Sequence, residues 1–367
     1  MNVARTLLAA AAAVCMAGPA AVAQELPDYY PAEYPDVVAA AQQEGSVLVY
    51  GNLALSVWEP LLVAFRAKYP GIQTEVLDLS SETFARYYAE TATGGRSPDL
   101  IVAGGEEDWF QLYDRGLLMP YESPELGHLT DWSTPYPGLY TLASDPAIIV
   151  YNKFLVSEAD APRSLAGILA MTEADPSLSG RIATQNVTNS FARTSHWTWF
   201  DHNPDGLPIL EALGEVTRPE ATNGIIIDKI ATGEYAIAWM ISGAVAFDFL
   251  KGDATRQSIV GWNFIEDGTP IVMRRAGLPT TSVNVNAAKL LLDFLVSHEG
   301  QATLGQTGAT PYRPDLDPAE VSNLTYSLMA ERVGGEERLA RDVFDPARMD
   351  ERLSFLDRWR EIFVDTN

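Results

Sequence analysis

Short polar segments that follow predicted strands are the residues of this chain best suited to holding a ligand. Asn189 and Ser190 stand between a predicted strand and a predicted helix, and Arg193 follows one turn later. Ser242 occupies the matching place after the predicted strand Tyr235–Met240. Free N–H groups at a helix N-terminus favour negative charge, so both segments indicate an anion site. An ordinary helix cap and a solvated arginine explain the same residues equally well.

Two adjacent arginines, Arg274 and Arg275, directly follow the predicted strand Pro270–Met273. The donors of a guanidinium group form a fork that matches a carboxylate or a phosphate. Because side chains alternate along a strand, one arginine of the pair is predicted to face the ligand. The sequence leaves open which one it is. It also leaves open a surface position or an ion pair for either residue.

Four further candidates, Asn52, Ser80, Ser81 and Gly104, follow predicted strands in the N-terminal part of the chain. In open parallel sheets, ligands bind outside the carboxyl ends of the strands, where these residues are expected to meet. Ser80 or Ser81 is also predicted to cap the helix that follows. No acid, base or nucleophile accompanies these loops. They therefore predict a site that holds a ligand without transforming it.

Sequence patterns typical of enzymes and metal sites are missing. The chain has no phosphate loop, no dinucleotide fingerprint and no nucleophile elbow. Ser195 and His196 are neighbours in a predicted helix, so their side chains diverge. The four histidines show no paired-ligand spacing. We therefore expect no enzymatic activity, no cofactor and no metal, with a secreted hydrolase as the enzyme alternative.

The elements that carry these segments predict an α/β protein of two lobes. Gly45–Phe84 has the pattern strand, helix, strand, which produces parallel strands in one sheet. From Lys153 the alternation of strands and helices restarts, which predicts a second lobe. Two strands, Ile148–Tyr151 and Pro270–Met273, are predicted to join the lobes as a hinge around a cleft.

Composition and the N-terminal segment restrict the function further. The chain has 367 residues and a formal net charge of −24, which argues against nucleic acid or an anionic membrane as partner. Residues 1–23 combine Arg5, a short apolar stretch and a small-residue cleavage pattern, as in a secretory signal peptide. The only cysteine, Cys15, lies in that segment, so the mature chain is predicted to contain no disulfide.

Three segments together resemble the extracellular solute-binding proteins of bacterial ABC importers: Gly45–Leu79, Gly233–Ala246 and Asn286–Gln301. The similar subgroup includes proteins that bind ferric iron and proteins that bind phosphorylated or other anionic organic molecules. The resemblance implies a type II periplasmic-binding-protein fold, in which each lobe is a mostly parallel sheet with flanking helices. It also implies a ligand site in the cleft and delivery of the ligand to an inner-membrane permease.

The resemblance also assigns the parts of the chain. Lobe 1 is predicted to comprise residues 24–147 and 274–310, and lobe 2 residues 148–273. The helical segment 311–367 is expected to pack on the lobes. We expect a periplasmic monomer that captures a small anionic organic solute and does not bind nucleic acid. A periplasmic sensor for a two-component system is an alternative.

Ferric iron is the other alternative that the resemblance raises. Iron-binding members use two adjacent tyrosines in the second lobe, whereas the candidate pair of this chain, Tyr87 and Tyr88, falls in the first. With Phe84 one turn earlier, the pair fits a stripe of core residues better than a metal site. Tyr29 and Tyr30 lie too near the predicted cleavage site to be candidates. Tyr235 is predicted to be a core residue of a strand. The sequence therefore favours an organic anion over iron.

Overall fold

The computed structural model describes residues 26–343 and 345–364. The predicted signal peptide, residues 1–23, and Cys15 within it lie outside the described residues. None of the described helices is long and apolar enough to span a bilayer.

Ten strands are present in the described part of the chain. They are β1 (Ser46–Gly51), β2 (Gln73–Asp78), β3 (Leu100–Ala103), β4 (Leu139–Asn152), β5 (Ile182–Gln185), β6 (Thr217–Glu220), β7 (Ile237–Ser242), β8 (Val260–Phe264), β9 (Thr269–Gly277) and β10 (Leu339–Arg341).

Fourteen α-helices flank these strands among the described residues. They are α1 (Tyr34–Glu44), α2 (Leu55–Lys68), α3 (Thr83–Ala92), α4 (Glu106–Asp114), α5 (Leu165–Ala174), α6 (Ser190–His202), α7 (Leu207–Gly214), α8 (Asn223–Thr232), α9 (Gly243–Leu250), α10 (Ala254–Ile259), α11 (Val285–Val296), α12 (His298–Leu304), α13 (Tyr326–Val333) and α14 (Met349–Val364).

Two sheets, continuous through β4, form the frame of two lobes. Their strands follow the order β2-β1-β3-β9-β4-β7-β5-β6, with β10 beside β9 and β8 beside β4. We call the part built on β1, β2 and β3 the first lobe. The part built on β5, β6, β7 and β8 is the second lobe. Within each lobe these neighbours are mostly parallel, since β1 pairs in parallel with β2 and β3, and β5 with β6 and β7. The predicted two-lobed α/β architecture is confirmed.

The strands β4 and β9 run through both parts of the molecule. From Leu139 to Pro146, β4 pairs antiparallel with β9; from Ala147 it pairs with β7 on one side, and from Ile148 with β8 on the other. Every residue of both strands is buried. A strand buried on both faces needs an apolar sequence, which the run Ala147–Tyr151 supplies. Both strands are longer than the hinge segments predicted from the sequence. The predicted limits of the lobes, near residues 147 and 274, stay a prediction.

The C-terminal segment, which was predicted to be helical, also contains a strand. Besides α13 and α14 it contributes the strand β10, which pairs in parallel with β9. Helix α14 buries Leu356, Trp359 and Phe363 in the hydrophobic core of the second lobe. Leu353, on the same helix, is exposed.

His196 lies at the centre of that core and is fully buried. Its Nδ1 lies 2.9 Å from the Ala192 carbonyl oxygen, which can only accept, so Nδ1 carries the proton. Its Nε2, 3.1 Å from the Thr184 hydroxyl, is then an acceptor. The neighbouring Ser195 hydroxyl donates to the Ala192 carbonyl oxygen, so serine and histidine do not pair. Burial lowers the pKa of His196 to about 4, because the charged imidazolium would lose its hydration.

Replacing His196 should flatten the dependence of stability on pH. The unfolded chain binds a proton below the ordinary pKa of 6.5, whereas the folded chain does so only near 4. Folding therefore loses stability as the pH falls through that window, by about 3 kcal/mol for this one group. The unfolding free energy is measured with urea at about pH 7 and about pH 4. Between these two pH values, His196→Gln should lose about 3 kcal/mol less than the parent protein loses. His298→Gln, at a half-exposed position, is the control. An unchanged loss in His196→Gln would contradict the expectation.

Candidate functional site

A cavity of about 180 Å³ lies between the two lobes, beside the ends of their strands. The first lobe contributes Asn52 and Ser80, and β9 contributes Arg274. The polar residues that the second lobe contributes are Gln185, Asn189, Ser190, Thr222, Asn223 and Ser242. A larger hollow of about 450 Å³ lies on the first lobe among prolines and tyrosines such as Pro120 and Tyr136. That hollow contains no cluster of polar donors from different strands, so the interlobe cavity is the better candidate site.

Three helix N-termini of the second lobe converge on this cavity. Asn189 caps α6 by accepting from the backbone N–H of residue 191 at 2.9 Å. Thr222 caps α8 and Ser242 caps α9 in the same way. All three capping residues line the cavity. The positive ends of three helix dipoles are therefore directed at one small space, and they favour a negatively charged group there.

Arg274 is the only charged side chain in the lining of this cavity, and it is 7% exposed. Its Nη1 donates to Asn52 Oδ1 at 3.0 Å, and its Nη2 lies 3.4 Å from Asp145 Oδ2. Asp145 also accepts from the Ser242 hydroxyl at 2.6 Å and from the N–H of Ala244 at 2.9 Å. Burial raises the pKa of Asp145, while the Arg274 guanidinium opposes that rise. Asp145 was missed by the sequence reasoning, although it directly precedes a strand that the sequence predicted.

Asn52 joins the two lobes across the cavity. Its Oδ1 accepts from the N–H of Gly104 at 3.2 Å as well as from Arg274, and its Nδ2 donates to the Ser190 hydroxyl at 3.3 Å. The structure therefore brings Asn52, Gly104, Ser190 and Arg274 together. Their role as ligand contacts stays a prediction.

Ser80 lines the cavity with an unusual backbone conformation, at a φ of 49°. Its N–H donates to Asp78 Oδ1 at 3.1 Å, and its carbonyl oxygen accepts from the Thr83 hydroxyl at 3.1 Å. The prediction that Ser80 or Ser81 caps the next helix is wrong, since α3 begins at Thr83 and neither serine caps it. Left-handed backbone in a residue other than glycine is costly and concentrates at functional sites. Ser81 is exposed and is not part of the lining.

The two remaining candidates, Arg193 and Arg275, lie outside the lining of the cavity. Arg193, on α6, pairs with Asp108 at 3.3 Å, so it connects the second lobe to the first. Arg275 is buried, with its Nε 3.0 Å from Glu106 and its Nη1 2.5 Å from the Thr141 hydroxyl. Burial raises the pKa of Glu106 to about 7, although Arg275 opposes the rise.

The first turn of α4 thus presents three carboxylates to three arginines. Besides Glu106 and Asp108, Glu107 accepts from Arg352 Nε at 2.7 Å. Arg352, on α14, also pairs with Asp342 at 3.0 Å and donates to the Thr194 hydroxyl at 3.1 Å. Among the described residues no group of three or more acidic, histidine or cysteine side chains has a geometry suited to a metal ion.

The tyrosines that raised the question of iron lie elsewhere. Tyr87 is fully buried in a core cluster with Phe84 and Trp109, and Tyr88 packs against that cluster. The hydroxyl of Tyr235 donates to Glu220. Neither the pair nor Tyr235 is part of the lining of the interlobe cavity.

Comparison with known proteins identifies the family. Residues 50–302 match the family model of the bacterial extracellular solute-binding proteins. No curated protein matched the chain.

Three solved structures illustrate the similarity of fold. The substrate-binding protein of an ABC transporter from Agrobacterium tumefaciens is 21% identical, with a TM-score of 0.75, over 87% of this chain and 94% of that one. The apo ferric ion-binding protein A of Pasteurella haemolytica is 14% identical, with a TM-score of 0.68, over 88% and 99%. The periplasmic binding protein AfuA of Actinobacillus pleuropneumoniae, solved with fructose-6-phosphate, is 18% identical, with a TM-score of 0.65, over 87% and 98%.

These TM-scores establish a shared fold. The family match, which spans more than half of the chain, establishes the relationship. The resemblance and the type II periplasmic-binding-protein architecture that it implies are both confirmed. The chain belongs to the family of bacterial extracellular solute-binding proteins, and it binds a solute rather than catalysing a reaction.

Proposed function

We propose that this chain is the periplasmic substrate-binding component of an ABC transporter, and that it captures a small anionic organic solute in the interlobe cavity. The closed, loaded protein then delivers the solute to an inner-membrane permease. The observation that carries the proposal is the convergence of the N-termini of α6, α8 and α9 on a cavity that also contains Arg274. Structural neighbours that are transporter components or hold a sugar phosphate support it.

The electrostatics of the cavity favour an anion despite the acidity of the whole chain. Each helix N-terminus carries roughly half a positive charge, and the three capping residues all lie at the cavity. The charge of Arg274 is balanced by Asp145, but the buried Nε of Arg274 has no hydrogen-bond partner among the described residues. An oxygen of the solute would satisfy that donor. The solute would bind through desolvated hydrogen bonds, with no chemistry performed on it.

The same lining disfavours ferric iron. Iron prefers carboxylate, phenolate or imidazole ligands, whereas this cavity is lined by hydroxyl, amide and guanidinium groups. A guanidinium ion and three positive helix ends would repel a trivalent cation.

Closure of the cleft is expected to involve bending within β4 and β9, since these strands connect the lobes. The lobes touch in the described arrangement through Asn52 and Ser190, and through the hydroxyl of Ser56, which lies 3.3 Å from Asp248. The pair of Arg193 and Asp108 adds an ionic contact at the edge of the cleft. A solute that contacts both lobes would shift the population towards this closed form.

The double variant Arg274→Met with Asp145→Asn tests the ligand assignment. It removes the charged donor without leaving an unpaired buried carboxylate. Calorimetry against phosphorylated compounds, carboxylates and ferric iron should show saturable binding of an anion by the parent protein. The double variant should bind that anion at least about tenfold more weakly, because a hydrogen bond to a charged group contributes about 1.5–3 kcal/mol. Ser81→Ala, at an exposed position outside the lining, should retain the parent affinity. Saturable binding of ferric iron alone would overturn the assignment.

Arg193→Gln tests the contact that holds the lobes together. Loss of the pair with Asp108, which is about a quarter exposed, should destabilise the closed form by about 1 kcal/mol. Small-angle X-ray scattering should show a larger radius of gyration without solute, and the affinity should fall about fivefold. Arg256→Gln is the matched control, since Arg256 pairs with Asp253 inside the second lobe. Identical scattering and affinity in both variants would rule out the contact as a determinant of closure.

A further inference from the structure

We infer that Asn223 selects solutes that carry a hydroxyl group beside their anionic group, so that the cleft is specific for a small hydroxylated anion. The inference rests on the proposed function and specifies the solute class of the same site. The observation behind it is a buried hydrogen-bond acceptor that has no partner. The Oδ1 atom of Asn223 is buried and has no hydrogen-bond partner among the described residues. Asn223 is 6% exposed, and it lines the interlobe cavity.

The hydrogen bonds behind Asn223 fix which end of its amide is free. The carbonyl oxygen of Ala221 can only accept, so Gln185 presents its Nε2 to it, at 3.3 Å. The Oε1 of Gln185 then faces Asn223 and accepts from its Nδ2 at 2.9 Å. Turning the Asn223 amide around would place two carbonyl oxygens against each other. The chain of bonds from Ala221 through Gln185 therefore leaves Asn223 with its oxygen unpaired.

An unpaired carbonyl oxygen at the cavity requires a donor from the solute. A solute that packs over Asn223 without supplying a hydrogen-bond donor leaves this buried acceptor unsatisfied, which weakens binding. An anionic group cannot supply the donor, because carboxylate and ionised phosphate oxygens mainly accept. Their negative charge would also be repelled by the carbonyl dipole.

The same cavity also contains hydrogen-bond donors that lack an acceptor. The buried Nε of Arg274 lacks an acceptor, and the N-termini of α6, α8 and α9 favour negative charge. The site thus combines donors that need an anionic oxygen with one acceptor that needs a hydrogen-bond donor, which a hydroxyl group of the solute supplies. A cavity of about 180 Å³ suits a compact molecule that bears both. Hydroxy acids and phosphate monoesters of small polyols share this chemistry.

Two pairs of compounds test the inference on the mature full-length protein. Glycerol 3-phosphate is compared with propyl phosphate, and glycerate with propionate, by isothermal titration calorimetry. The members of a pair share the anionic group and the carbon count, and they differ in hydroxyl groups. We expect the hydroxylated member to bind about tenfold more tightly, because a site built to bond a hydroxyl rejects the analogue that lacks it. Binding of the phosphate pair alone identifies a phosphate as the anionic group, and binding of the carboxylate pair alone identifies a carboxylate.

The variant Asn223→Leu assigns the discrimination to this residue. Leucine has a similar branched shape and no polar group, so the ratio of the two affinities should fall towards one while anion binding persists. Asn263→Leu is the matched control, since Asn263 lies outside the cavity lining and its amide donates to the Pro162 carbonyl oxygen. That control should retain the full ratio.

The outcomes separate this inference from the function on which it rests. Equal affinity within a pair, or an unchanged ratio in Asn223→Leu, overturns the role of Asn223 and leaves anion capture intact. Absence of binding by every anion, including the wider panel of phosphorylated compounds and carboxylates, overturns both. The comparison within the parent protein needs no variant, so equal affinities within a pair overturn the inference even if Asn223→Leu does not fold.

Discussion

The antiparallel pairing of β4 with β9 is the constraint on which the rest of the structure depends. These two strands are buried along their whole length, and β4 contributes backbone hydrogen bonds to both sheets. A strand shared by two sheets cannot shift its register without exposing the apolar residues of both. The pairing of these two strands therefore connects the two lobes at one fixed register.

The central ion pair of the cavity is built on those same two strands. Asp145 comes from β4, just before its partners change at Pro146 and Ala147, and Arg274 comes from β9. Positions on the shared strands belong to both lobes, so the pair can stay formed when the lobes separate. The second lobe then adds the helix ends capped by Asn189, Thr222 and Ser242, and the first lobe adds Asn52 and Ser80. The cavity consequently has an ion pair from the shared strands at its centre and polar residues from one lobe on each side.

A belt of ion pairs surrounds this centre and explains two arginines that the sequence offered as ligand contacts. Glu106, Glu107 and Asp108 open α4, where acidic residues favour the helix dipole, and each pairs with an arginine from a different element. Breaking a buried pair by removing one partner is costly, which gives Arg275 and Arg352 structural roles. The three arginine partners lie far from this turn in the chain, so no local sequence pattern predicts the pairs.

Local patterns determined much of the architecture from the sequence by itself. The helix Asn223–Thr232 and the strand ends that carry Asn52, Asn189 and Ser242 follow from periodicity, glycines and capping residues, which are properties of neighbouring positions. The family resemblance followed from the same ordered segments. Only the tertiary structure decided which of Arg274 and Arg275 lines the cavity, that Asp145 stands behind it, and that Asn223 presents a free carbonyl oxygen. These features depend on contacts between residues far apart in the chain, and alternation along one strand gives two opposite faces without saying what either face meets.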